Sequence, residues 1–207
     1  AAMFFLVVTL ARPQWGRYAE PVTRRGIDVV IILDVSDSMR AEDVTPDRMT
    51  RARALAADLV GRLEGNRIGL VAAAGSAYVQ CPLTLDISAV RLFLDILEIG
   101  DVPDAGSDLG AALRVGLDAF PQDTGGRRVI VLISDGEDHE GAAEGALAEA
   151  VEAGVVIYTV GVGTPAGGPL PLPSREGGMG GYKKDARGRV VTTRMNPEVL
   201  ASLAEAG

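Results

Sequence analysis

Cysteine and histidine occur once each in this 207-residue chain, as Cys81 and His139. A lone cysteine excludes an internal disulfide. A lone histidine leaves a serine hydrolase one base candidate, and it sits inside the acidic run Glu137-Asp138-His139-Glu140. No G-x-S-x-G elbow is present. Gly161, Gly163 and the glycines after them match neither a dinucleotide fingerprint nor a Walker A loop. Basic residues are in deficit, 20 against 28 acidic, for a net charge of −8. Phosphate binding needs a basic face, so the balance argues against nucleic acid as a partner. Internal repeats and low-complexity tails are missing as well. What remains is a composition for folding, 47% hydrophobic and 23% charged, at a length that buries one sizeable core without covalent staples.

Four apolar runs read as buried strands: 27-IDVVIILD-34, 67-RIGLVAAA-74, 128-RVIVLIS-134 and 155-VVIYTVGV-162. Most are rich in Val and Ile with little alternation, as in parallel strands covered on both faces. Helical patterns lie between them. In 49–64, Ala52, Leu55, Ala56, Leu59, Val60 and Leu63 form one apolar stripe at i, i+3, i+4 spacing. Segments 86–97, 107–120 and 140–154 behave alike, the last closed by Gly154 as a C-cap. Asn196-Pro197 opens a final helix. The tight Gly75-Ser76 link predicts a hairpin into 77-AYVQCP-82. The expected fold is α/β: a doubly wound, mostly parallel six-stranded sheet with one antiparallel edge strand and helices on both faces. Residues 163–181, rich in Gly and Pro, read as a long surface loop, followed by a hairpin turning around Asp185–Gly188.

Ligands in open α/β sheets bind beyond the carboxyl ends of the strands, where strand order reverses. Asp34 ends the first strand and Ser36 and Ser38 follow at alternate positions; Asp135 ends the third parallel run; Ser107 opens a helix near the same end. Asp34, Ser36, Ser38, Ser107 and Asp135 make a set of two carboxylates and three hydroxyls. Five hard oxygen donors suit a hard cation, and few charged ligands favour Mg²⁺ or Mn²⁺ over a Ca²⁺ cage. Mg²⁺ retains waters, so an open position is expected, one that an Asp or Glu from a protein partner could fill. Plainer roles stand beside this one. Ser107 is a good helix N-cap, Ser36 and Ser38 are turn residues, and Asp37 is read as solvated. The acidic run at 137–140 reads as a helix start, with His139 exposed, rather than as a second metal cluster.

These residues carry a family resemblance. D-x-S-x-S after a first strand, a later G-S and a late S-D-G resemble the metal-ion-dependent adhesion site of von Willebrand factor A domains, over roughly Ile27 to Gly207. A narrower resemblance is to the membrane-anchored BatA/BatB group of bacterial aerotolerance operons. It is carried by 11-ARPQWGR-17, 26-GIDVVIILDVSDSM-39, 81-CPLT-84, 106-GSDLG-110 and 133-ISDGEDHEG-141. The resemblance implies that Ser36, Ser38 and Ser107 touch the metal directly, with Asp34 and Asp135 acting partly through waters. It implies a MoxR-type AAA+ ATPase or sister membrane proteins as partners, and metal engagement coupled to movement of the last helix. The family's usual threonine is replaced here by Ser107, which keeps the hydroxyl but leaves its rotamer freer.

Residues 1–26 form a separate segment. Ala1 to Ala11 is uncharged and mostly apolar, then Arg12, Trp15, Arg17 and Tyr18 arrive together, the mixture a membrane–water interface favours. Eleven helical residues span only about 16 Å, so this reads as the end of a transmembrane helix with a juxtamembrane linker in a bacterial inner membrane. A signal-peptide remnant or a helix packed on the domain is the alternative. Arg12, Arg17, Arg24 and Arg25 crowd this end, which favours the cytoplasmic side, although helices upstream would weigh on topology.

The functional expectation is a non-enzymatic, metal-dependent interaction module. A Mg²⁺-dependent phosphatase with Asp34 as nucleophile would resemble the haloacid dehalogenase-type phosphatases, a resemblance that implies a second aspartate two residues on, where Ser36 stands. A structural scaffold with a vestigial site is the third reading.

Overall fold

The computed structural model describes residues 26–121, 126–138, 141–172 and 181–206. The membrane segment expected at 1–26 and the exposed His139 therefore fall outside the described residues, Gly26 apart.

The run DVVIILD forms β1 (Asp28–Asp34), and every one of its seven residues is buried. Its alternate side chains enter two cores: Val29, Ile31 and Leu33 one of them, Val30 and Ile32 the other. This is the continuous apolar pattern of a strand covered on both faces. A 3-10 turn (Asp37–Arg40) and helix α1 (Arg48–Arg62) follow. β2 (Arg67–Ala73), β3 (Ala77–Thr84), α2 (Ile87–Ile96), α3 (Leu109–Asp118), β4 (Arg128–Ser134), α4 (Ala143–Glu152) and β5 (Val155–Gly161) come next.

The main sheet runs β3-β2-β1-β4-β5. β1, β2, β4 and β5 are parallel, and β3 is the antiparallel edge. Among the described residues this sheet has five strands where six were expected; its class and its single antiparallel edge are as read. The Gly75-Ser76 link makes the predicted hairpin. A side chain at Gly75 would meet the Ala105 carbonyl at 2.5 Å, so glycine lets the loop before α3 lie against this turn.

Helices α1 and α2 cover one face, with Ala52, Ala56, Val60, Val90 and Leu94 in its core. α3, α4 and a final helix α5 (Pro197–Ala206) cover the other, through Leu113, Ala146, Ala150, Leu200 and Leu203. Asn196 caps α5 as expected, its Oδ1 accepting from Val199 N at 3.4 Å. Gly154 sits just past α4 with φ +65°.

The stretch expected to be a plain surface loop is instead part of a small β lobe. β6 (Gly168–Pro169) pairs antiparallel with β7 (Thr192–Thr193), with further bridges Pro171–Tyr182 and Lys184–Val190. The turn around Asp185–Gly188 holds as a hairpin: Asp185 N donates to Arg189 O at 2.8 Å, and Gly188 has φ +78°. Gly and Pro marked the turns, while pairing between segments some twenty residues apart left no local periodicity to read.

Candidate metal centre

Strand order reverses at β1: β2 lies on one side of it and β4 on the other. Leu33 pairs with Ile133, so Asp34 and Asp135 leave the sheet side by side at its carboxyl edge. Asp34, Ser36, Ser38, Ser107 and Asp135 are all buried. Asp34 Oδ1 accepts from Ser36 N at 2.9 Å, which folds the chain into a tight turn after β1. The Ser36 and Ser38 hydroxyls lie 2.9 Å apart. Asp135 Oδ1 accepts from Glu137 N at 3.1 Å.

Ser107 reaches this end by another route. Gly75 N donates to Asp104 O at 3.0 Å and Asp108 N to Ala74 O at 2.8 Å, which lays residues 104–108 over the end of β2, next to β1. The N-cap of α3 is Asp108, whose side chain accepts from Ala111 N at 2.8 Å. Capping therefore falls to Asp108 and not to Ser107. No hydrogen bond among the described residues joins Ser107 to the other four.

The electrostatics follow from burial. Loss of water pushes the Asp34 carboxyl up from its ordinary range, partly offset by hydrogen bonds from Ser134 and Ser36. Burial raises Asp135 to about 6, with the Asp34 charge adding to it and Ser38 opposing. Arg48, 2.6 Å from Asp135 Oδ2, works against that rise. Its charge is shared with Asp43, so burial and Asp34 prevail. Two desolvated carboxylates of like charge are stable together only when protonated or when a cation lies between them.

Several participants escaped the sequence reading. Ser134 is fully buried and donates to Asp34 Oδ2 at 2.6 Å, while accepting from Gly136 N at 2.9 Å. Arg48 is fully buried. It grips Asp43 with Nε and Nη2, both at 2.8 Å, a bidentate pair that holds the Asp43 carboxyl down at about 2. Its Nη1 also donates to Thr193 Oγ1 at 3.1 Å, and Nη2 to Thr193 O at 3.3 Å. A cation in the first turn of a helix opposes the macrodipole, and that mismatch was the available signal. Glu137 does not start a helix: α4 begins at Ala143. Its Oε1 accepts instead from Thr193 Oγ1 at 2.5 Å and Arg194 N at 3.2 Å. Asp37 is solvated as read, pairing at the surface with Arg40 and Lys183.

The model for the von Willebrand factor type A domain matches residues 29–137, more than half of the chain and all five candidate residues. The chain belongs to the von Willebrand factor type A family. Among curated relatives, a UPF0353 protein of Mycobacterium ulcerans is 35% identical over 158 residues, covering 70% of this chain and 47% of that protein. The chain thus spans about half the length of the curated relatives it matches. Two solved structures are similar across most of the fold. One is an aerotolerance-related membrane protein from Bacteroides fragilis, with a TM-score of 0.82, 35% identity and 88% of each chain covered. The other is BatB from Bacteroides thetaiotaomicron, with a TM-score of 0.82, 36% identity and coverage of 88% and 87%.

Among the described residues no group of three or more His, Cys, Asp or Glu side chains is placed to hold a metal. A metal here would rest on two carboxylates and neutral hydroxyls. That donor set fits a hard divalent ion, because the buried carboxylates Asp34 and Asp135 leave a negative excess that Arg48, already engaged by Asp43, does not cancel.

Proposed function

We propose that this von Willebrand factor A domain is a non-enzymatic interaction module that holds Mg²⁺ or Mn²⁺ and captures an acidic side chain of a protein partner. The Ser36, Ser38 and Ser107 hydroxyls would hold the ion, with Asp34 and Asp135 supplying the balancing charge. When bound, the ion supplies a Lewis-acidic position open to a carboxylate oxygen. The observation that carries the reading is the pair of buried carboxylates beside two serine hydroxyls at the reversal of strand order. The same geometry speaks against a phosphatase. Both oxygens of Asp34 are engaged, by Ser36 N and Ser134 Oγ, which blunts it as a nucleophile.

The similar aerotolerance-related membrane protein supports attachment to a membrane. Attachment through residues 1–26, and a MoxR-type AAA+ ATPase or sister membrane proteins as partners, are proposed from the sequence resemblance. Among the described residues no helix is long and apolar enough to cross a membrane. The chain enters β1 at Asp28, whose N–H donates to Arg127 O, and the candidate site lies at the other end, beyond Asp34. Six steps of strand set the two about 20 Å apart, so an anchor at 1–26 would leave the metal face turned away from the bilayer.

The test is retention of the purified ATPase on the immobilised full chain in Mg²⁺. Release by EDTA, and no retention by Ser36→Ala, is the expected result. Retention that survives both would show that binding does not run through the metal.

A further inference from the structure

Arg48 is the residue that the metal reading leaves unexplained. It is a fully buried cation at the start of α1, where the helix dipole disfavours it. Its guanidinium makes five hydrogen bonds to three residues: two to Asp43, one to Asp135 and two to Thr193. Those residues belong to three parts of the molecule. Asp135 directly follows β4, in the candidate metal site. Asp43 lies before α1 and accepts from Thr164 N at 2.8 Å and Thr164 Oγ1 at 3.0 Å, at the entrance to the small β lobe. Thr193 is the buried end of β7, the strand that returns from that lobe. A side chain at Gly163 would lie 2.7 Å from Arg48 Nε, so the backbone entering the lobe is seated on the guanidinium.

Resting on the metal-site reading, we propose that Arg48 is a positioning residue that couples occupancy of the metal site to the β lobe. It fixes the Asp135 carboxylate with one arm and both ends of the lobe with the others. A planar guanidinium with five donors can make these contacts together, whereas a lysine ammonium has three donors and no fork. An ion drawn to Asp135 alters the charge and placement of the carboxylate that Arg48 holds, and the lobe, tied to the same guanidinium, feels it. Such coupling is reciprocal: whatever binds the lobe shifts metal affinity by the same factor.

Two roles of Arg48 have opposite signs. As a neighbouring positive charge alone it would weaken Mg²⁺ binding, and its loss would tighten it. As a positioning residue behind Asp135, its loss costs roughly 10–100-fold in metal affinity, as for other outer-shell partners of metal ligands.

The experiment uses the full chain with Mg²⁺ as the only probe, comparing the parent with Arg48→Met, Arg48→Lys and Thr193→Val by calorimetry and by amide hydrogen exchange. The amides that report on the lobe are those of Leu170, Lys183 and Val191, hydrogen-bonded to Val191 O, Leu170 O and Lys183 O. Mg²⁺ is expected to slow their exchange in the parent. Arg48→Met should bind Mg²⁺ roughly 10–100-fold more weakly, exchange the lobe amides roughly tenfold faster and lose the Mg²⁺ response, with Arg48→Lys in between. Thr193→Val, a milder change that keeps Arg48, should lose the lobe response while retaining Mg²⁺ binding, which guards against an unfolded Arg48→Met. Mg²⁺ binding with unchanged lobe exchange in the parent overturns the coupling alone. Tighter Mg²⁺ binding by Arg48→Met overturns the positioning role. No Mg²⁺ binding by the parent overturns the metal reading and the coupling with it.

Discussion

Asp135 lies where three demands on one carboxylate meet: it is buried, it faces the charge of Asp34, and it accepts from Arg48. Its pKa in the metal-free fold is raised from 3.8 to about 6, so between these values the folded chain keeps a proton that the unfolded chain releases. The sign follows: the contribution of Asp135 to metal-free stability is fully present below about pH 4, is lost as pH rises through that window, and is gone above about 6. Its share across the window is on the order of 3 kcal/mol. Urea denaturation in EDTA at pH 4.5 and pH 7 measures it, and Asp135→Asn should flatten the difference. A parent and variant with parallel pH profiles would show that Asp135 titrates normally. Asp43 is separable, because its depressed carboxyl, near 2, costs stability only as pH falls below the ordinary carboxylate range. At this scale the juxtaposition of the candidate donors was legible in the sequence because Asp34, Ser36 and Ser38 sit in one five-residue stretch at the end of an apolar run. Arg48 and Thr193 were not, because 145 positions separate them and neither carries a periodic or motif signal.

The sheet and its helices dispose these residues. β1 and β4 declared themselves through continuous Val and Ile runs, since burial on both faces imposes that composition. β2 is as buried on a Gly- and Ala-rich run, whereas β5, at the sheet edge, exposes Val156 and Tyr158 and is not the fully buried strand expected. Helix boundaries fell within a few residues of the apolar stripes; at the start of α3, Asp108 rather than Ser107 takes the cap, and α4 begins at Ala143, past the acidic residue Glu137 expected near its start. Both residue types cap well, so only the hydrogen bond to Ala111 decides between them. The β lobe was legible only in part: the hairpin turning around Asp185–Gly188 was, whereas the β6–β7 pairing was not, because strands of two residues show no alternation. Its attachment depends on close approach at Gly163, which has φ +125° and no room for a side chain beside Arg48. Gly163→Ala should cost about 2 kcal/mol in chemical denaturation and loosen the lobe. A substitution without effect would mean that the guanidinium moves aside freely. α5 is tied to the site more directly, since Asn196 N donates to Asp135 O at 2.7 Å, and Leu200 and Leu203 anchor it in the core. Leu200→Ala should cost roughly 3 kcal/mol, again read by denaturant midpoint, with Mg²⁺ affinity retained if the helix keeps its place.

The whole molecule has polarity. The chain enters β1 at the amino edge of the sheet, where buried Asp28 pairs with Arg67, and the buried Asp34, Arg48 and Asp135 gather at the carboxyl edge beneath the lobe. A net charge of −8 suits a protein that attracts divalent cations, and the acidic partner proposed above would need the intervening ion to offset repulsion. A bound ion should also stabilise the fold, by about 2.7 kcal/mol at a hundredfold excess over Kd, so the melting temperature should rise with Mg²⁺ in the parent and stay flat in a variant without the site.

Calorimetric titration with Mg²⁺ and Mn²⁺, of the parent beside Ser36→Ala and Asp135→Ala, tests the metal centre most directly. One-to-one binding by the parent, lost in both variants while each remains folded, is the expected result. No binding by the parent, or binding that persists in both variants, would contradict a metal centre built from these residues.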